Sequence, residues 1–191
     1  MKIGISWPDS GFNGWLPDLR VVSAHLFSEY DLIVFPGGSD VSPKLYGEEN
    51  RYSSINEHRD KAETEIFKNY FQKDTKFLGI CRGHQFLNVM LGGKLVQDLQ
   101  VDKHIHHSDW HTIKEVNNGK VPSFFNGRVN STHHQGIIIP GTSQKVTSMH
   151  KGIIESTESE KIITIQWHPE YFSSSDIRAI NFFTYIQMWA K

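Results

Sequence analysis

Short unbroken apolar runs alternate with stretches of helical periodicity along this chain. Lys2 to Ser6 alternates weakly and predicts a first strand. Pro17 to Tyr30 carries Leu19, Val22, Leu26 and Phe27 at helical spacing and predicts a helix. Leu32-Ile33-Val34-Phe35 is continuously apolar and closes on Pro36-Gly37-Gly38, as expected of a strand buried on both faces. Glu57 to Gln72 predicts a second helix, with Ile66, Phe67, Tyr70 and Phe71 on one side. Phe77 to Ile80 reads as another buried strand, and His84 to Leu91 as a helix stopped by Gly92-Gly93. From Lys94 to Ile165 β-branched residues and turn formers dominate, so short strands and hairpins are expected. Ile162 to Trp167 is a late strand, and Ser174-Ser175-Asp176 caps a last helix carrying Ile177, Ile180 and Phe183. This alternation predicts an α/β three-layer sandwich with a mostly parallel sheet and an additional short antiparallel β region. Sites in such folds form beyond the carboxyl ends of the strands.

No repeat or linker divides the 191 residues, so one domain over 1–191 is expected. The 20 basic and 21 acidic residues leave a net charge of -1, which provides no electrostatic footprint for nucleic acid or an anionic membrane. No apolar run reaches the ~18 residues of a membrane span, and the start lacks the apolar stretch of a signal peptide. A single cysteine, Cys81, excludes an internal disulfide framework and a multi-cysteine zinc site. A cytoplasmic location is the expectation.

The lone thiol stands in Gly79-Ile80-Cys81-Arg82-Gly83, directly after a predicted strand. Glycines two before and two after a nucleophile match a strained strand-to-helix elbow, where larger side chains would meet neighbouring backbone. An elbow lifts the sulfur toward solvent at a helix N-terminus, where the dipole favours thiolate, and frees the Arg82 N–H to bind an oxyanion. Taken alone, Cys81 fits a packing cysteine as well. In Trp167-His168-Pro169-Glu170, residues two apart on an extended chain share a side. Pro169 keeps His168 extended. His168 can then act on Cys81 while Glu170 sets its tautomer. An isolated pair of this kind is more often a strand-end histidine with a solvated glutamate. Gly37-Gly38 can aim an N–H into the cleft, which makes the Gly38 N–H a second candidate oxyanion donor. An ordinary turn is the alternative there.

In this order, Pro-Gly-Gly, Gly-x-Cys-x-Gly and His-Pro-Glu resemble the class I glutamine amidotransferase superfamily, from about Leu32 to Tyr171. The resemblance implies a flavodoxin-like fold and a Cys–His–Glu triad at Cys81, His168 and Glu170. Further segments resemble the γ-glutamyl hydrolase branch (peptidase C26 type). They are Pro43 to Glu48, Arg59-Asp60 with Glu63, the continuation from Arg82 through Asn88 to Gly92-Gly93, Gln97-Asp98-Leu99, and Asn130 to Gly136. The stretch between the first strand and Leu32 is short for this branch, which leaves the amine half of a substrate unassigned.

That resemblance implies a cysteine-dependent hydrolase of small γ-glutamyl amides, working through a thioester without a cofactor. Its substrate-binding residues would be Gln85, one helical turn after Cys81, with His133, His134 and Gln135. The other branch is a glutaminase subunit supplying ammonia to a separate synthetase, and the fold admits a homo-oligomer. Four of the 11 histidines, His104, His106, His107 and His111, cluster in one stretch. They lack accompanying cysteines or a Glu-x-x-His pattern, so a surface loop rather than a metal site is expected.

Overall fold

The computed structural model of the protein describes residues 1–7, 15–16, 19–21, 28–105 and 109–191. In chain order the first elements are strands β1 (Ile3–Ile5), β2 (Leu19–Val21) and β3 (Leu32–Phe35), helix α1 (Glu57–Phe71), strand β4 (Lys76–Ile80) and helix α2 (Arg82–Met90). Next come β5 (Lys94–Val96), α3 (Leu99–Lys103), β6 (Asp109–Thr112), β7 (Lys114–Glu115), β8 (Arg128–Ser131) and β9 (Gly136–Ile139). The chain ends with β10 (Lys145–His150), β11 (Ile153–Glu158), β12 (Ile162–Ile165) and α4 (Ile177–Trp189). Asn56 and Asp176 cap α1 and α4, each side chain accepting from a first-turn N–H.

Five strands run parallel in the order β2-β1-β3-β4-β12. This is the flavodoxin-like strand order. Beyond β12 the sheet turns antiparallel through β11, β10 and β7, and β9 with β5 branches from β11. β6 and β8 form a separate antiparallel ribbon.

Two apolar clusters make the structure three layers deep. Alternation along β3 sends Leu32 and Val34 to one face and Ile33 and Phe35 to the other. Leu32 and Val34 join Leu78, Ile80, Ile163 and Ile165 against Phe182, Phe183 and Ile186 of α4. Ile33 and Phe35 join Phe77 against Ile66, Phe67 and Tyr70 of α1 and Phe86 of α2. Both faces of β3 are thus covered, which is why its sequence is apolar without alternation.

One element departs from the sequence reading. Leu19–Val21, placed in a helix over Pro17 to Tyr30, is strand β2, hydrogen-bonded in parallel register to Ile3–Ile5. Pairing to an edge is a non-local gain that helical spacing does not register. Residues 17–18 and 22–27 of that stretch, with Val22, Leu26 and Phe27, lie outside the described residues. Smaller differences occur at two ends. α2 begins at Arg82 rather than His84, and β12 stops at Ile165 rather than Trp167.

Candidate active site

β3, β4 and β12 are adjacent and parallel, so their carboxyl ends emerge side by side. The register Phe35↔Gly79 and Ile165↔Ile80 therefore brings Pro36–Gly38, Cys81 and Gln166–Glu170 to one edge. The three motifs are far apart in sequence and meet because of sheet order alone.

Cys81 caps α2 with φ 51° and ψ −106°, a conformation strained for any residue with a side chain. Its N–H donates to Ile165 O at 2.9 Å, tying the elbow to β12. The flanking glycines are demanded by space. A Cβ at Gly83 would stand 1.9 Å from Phe35 O, and one at Gly79 2.6 Å from Gly83 O. The thiol is less open than an elbow suggests, since Cys81 is 6% exposed and lies close enough to the His168 ring to shift its charge.

His168 is held from three directions. Nδ1 lies 2.6 Å from Glu170 Oε1. Its backbone N–H donates to Asn130 Oδ1 and its carbonyl accepts from Asn130 Nδ2, both at 2.8 Å. The Tyr171 ring stacks parallel on the imidazole, centroids 4.4 Å apart. Burial of the ring favours its neutral form. The negative Cys81 and Glu170 side chains outweigh that and raise the His168 pKa to about 10. Gly37 makes room for the ring, because a Cβ there would lie 2.6 Å from His168 Cε1. Sequence reasoning placed His168 and Glu170 together but assigned nothing to Asn130 or Tyr171. The only signal for Asn130 was its place in the segment ending at Gly136.

Gly38 has φ 146°, where a side chain is disfavoured, and a Cβ would stand 2.1 Å from Arg59 Nη1. Below it lies a buried network of charges. The Arg82 side chain turns down, away from its own N–H, to pair with both Asp60 and Glu63. Glu63 also accepts from Arg59 Nε at 3.2 Å and from Ser6 Oγ at 2.7 Å. Burial pushes the Asp60 carboxyl up, against the pull of Arg82. Sequence reasoning singled out Arg59, Asp60 and Glu63 only by resemblance. Three charged residues opening a helix look, by themselves, like a solvated face.

The residues expected to contact substrate are tied into the protein. Gln85, 3% exposed, donates from Nε2 to Gln135 O at 3.1 Å and to Gln166 Oε1 at 3.0 Å. Gln135 Oε1 accepts from Val41 N at 3.2 Å, and its Nε2 donates to Ser53 Oγ at 2.8 Å. His133 Nδ1 lies 2.8 Å from Gln135 O. His134 is more open and contacts both oxygens of Asp40 at 2.9 Å. These residues bind together the β8–β9 connection, α2 and the segments at 40–41 and 53.

Two of the four clustered histidines, His104 and His111, are among the described residues. His104 caps α3 in a left-handed conformation, and His111 on β6 lies 3.4 Å from Glu155. His106 and His107 lie outside the described residues. Among the described residues no group of three or more His, Cys, Asp or Glu is arranged to hold a metal ion. No described helix is long and apolar enough to cross a membrane.

The family model of Peptidase C26 matches residues 16–170. The chain is 36% identical over 159 residues to the glutamine amidotransferase-like protein YvdE of Lactococcus lactis, covering 73% of this chain and 66% of that one. It is 29% identical over 171 residues to the gamma-glutamyl-gamma-aminobutyrate hydrolase PuuD of Escherichia coli, covering 78% and 67%. The chain thus spans about two thirds of the length of these relatives. A glutamine amidotransferase crystal structure from Thermotoga maritima superposes with a TM-score of 0.66 at 18% identity, over 97% of this chain and 83% of that one. The glutaminase domain of Trypanosoma brucei CTPS superposes with a TM-score of 0.69 at 10% identity, over 100% and 94%. The chain therefore has the class I glutamine amidotransferase fold and belongs to the Peptidase C26 family.

Proposed function

We propose that this protein hydrolyses the γ-glutamyl amide bond of small γ-glutamyl amines, with Cys81 as nucleophile, His168 as acid–base and Glu170 as the group that orients it. The observation that carries this reading is the convergence of Cys81, His168 and Glu170 at the carboxyl ends of adjacent strands, with His168 Nδ1 2.6 Å from Glu170 Oε1 and the ring electrostatically coupled to Cys81. Membership of the C26 family and the relation to the E. coli hydrolase support it.

In the proposed reaction Cys81 Sγ attacks the γ-carbonyl carbon as a thiolate, with His168 already carrying the proton beside it. The N–H groups of Gly38 and Arg82 hold the resulting oxyanion. The C–N bond breaks as His168 gives its proton to the departing amine, which leaves the imidazole neutral. Water, deprotonated by the now neutral His168, then attacks the thioester, and glutamate leaves as Cys81 returns to thiolate beside protonated His168. Gln85, His133, His134 and Gln135 form the wall around the glutamyl group.

Mass spectrometry of products from a panel of γ-glutamyl amides tests this. The panel would contain γ-glutamyl-aminobutyrate, a γ-glutamyl polyamine, a γ-glutamyl amino acid and glutamine. Wild-type protein alone is expected to release glutamate and free amine from at least one conjugate larger than glutamine, and Cys81→Ser to release none. Identical behaviour of the two proteins overturns the reading. Glutamine turnover that appears only on adding a co-purifying protein assigns a glutaminase subunit instead.

A further inference from the structure

Arg59, in the first turn of α1 and 4% exposed, spends its planar fork on the glycine loop. Nη1 donates to Gly37 O at 2.9 Å and Nη2 to Pro36 O at 2.8 Å, so one guanidinium grips two successive carbonyls. Glu63 holds Nε, and the Trp7 ring lies 5.8 Å from Cζ.

In a trans peptide the carbonyl and the following N–H point in opposite directions. Tying the Gly37 carbonyl to Arg59 therefore turns the Gly38 N–H away from Arg59. Two successive glycines put almost no steric limit on rotation of the peptide between them. A half turn would exchange the N–H for a carbonyl oxygen and so replace attraction for an oxyanion with repulsion. The fork of Arg59 opposes that turn, since it would cost a buried, charge-assisted hydrogen bond.

We propose that Arg59 is a positioning residue for the oxyanion site: by clamping the Pro36 and Gly37 carbonyls it keeps the Gly38 N–H turned toward the reacting carbonyl. This rests on the reading of Gly38 as an oxyanion donor, but not on the identity of the substrate. Arg59 stabilises nothing in the transition state directly. It fixes which end of one peptide faces the thiol.

Two probes of Cys81 separate this role from a structural one. Iodoacetamide alkylates the sulfur at a saturated carbon as the C–I bond breaks, and no oxyanion forms. p-Nitrophenyl acetate acylates the same sulfur through a tetrahedral oxyanion, releasing p-nitrophenolate. In Arg59→Lys and Arg59→Gln the burst of p-nitrophenolate is expected to slow about tenfold or more, while alkylation stays within about twofold of wild type. The variant that keeps its alkylation rate is the one read. Unchanged acylation in that variant overturns the proposal. So does a parallel fall of both rates in both variants, because Arg59 would then be holding the fold or the thiol. Wild-type protein that reacts with both probes yet releases no glutamate from any γ-glutamyl amide sinks the hydrolase reading and leaves the role of Arg59 intact.

Discussion

Asn130 and His168 hold each other twice: the amide of Asn130 accepts from the His168 backbone N–H and donates to its carbonyl, each at 2.8 Å. β12 has ended by this point, so ladder bonds no longer fix the backbone of the histidine. One side chain from β8 takes over that task. In Asn130→Ala both backbone groups of His168 lose a buried partner, at about 1–3 kcal/mol. Turnover is expected to fall about tenfold or more with KM little changed, because the imidazole loses its placement rather than its chemistry. Steady-state kinetics on whichever γ-glutamyl amide is turned over reads the split. A rise in KM alone would contradict it.

Glycine 83 is fixed by contact and not by backbone angle. Gly83→Ala would drive a methyl group into Phe35 O, 1.9 Å away, and is expected to destabilise the protein by about 3 kcal/mol or more. Gly47→Ala is the control. Its φ is 79° but the space around it is open, so only the left-handed penalty of about 1–2 kcal/mol applies. Urea midpoints compare the two variants. Equal losses would mean that α2 can shift away from β3.

His84, on the same helix as the elbow, is fully buried, its ring nitrogens 2.6 Å from Thr164 Oγ1 and 3.1 Å from Ile154 O. Burial lowers its pKa from 6.5 to about 4. The folded state thus resists a proton that the unfolded chain accepts. Stability is full above about pH 6.5 and is lost as pH falls toward 4, by on the order of 3 kcal/mol. Denaturant unfolding of wild type and His84→Asn across that range checks the sign, and the slope should flatten in the variant.

Glu63 is shared by Arg59, Arg82 and Ser6 with no side-chain exposure at all. Glu63→Gln leaves two buried guanidinium groups with too little negative charge and is expected to cost about 3–5 kcal/mol. Ser6→Ala removes one neutral donor from the same carboxylate and should cost about 1 kcal/mol. Thermal or urea unfolding ranks the two, and a reversed order would show that Asp60 alone satisfies the arginines.

The apolar runs Leu32–Phe35 and Phe77–Ile80 were legible as buried strands because their environment is uniform, with cover on both faces. Adjacency of those strands then did the rest, and carried Cys81, His168 and Glu170 to one place. β2 was not legible, since Leu19–Val21 gains its ladder from Ile3–Ile5 and offers no local alternation long enough to read. The braces were equally hidden. Asn130 and Arg59 act on backbone groups of distant segments, and no periodicity records a side chain that reaches across a fold to a carbonyl. Gln85 and Gln135 were expected to contact substrate, and their amides knit neighbouring segments together.

Arg82 faces two ways, its side chain pinned below by Asp60 and Glu63 while its peptide opens the helix above. The first turn of α1 and the Cys81 turn are consequently welded into a single rigid block. Under the proposed hydrolase activity, a change in which amine is accepted has little freedom there. Variation must instead fall on side chains that hold none of these contacts, such as Tyr52, which already stands in solvent.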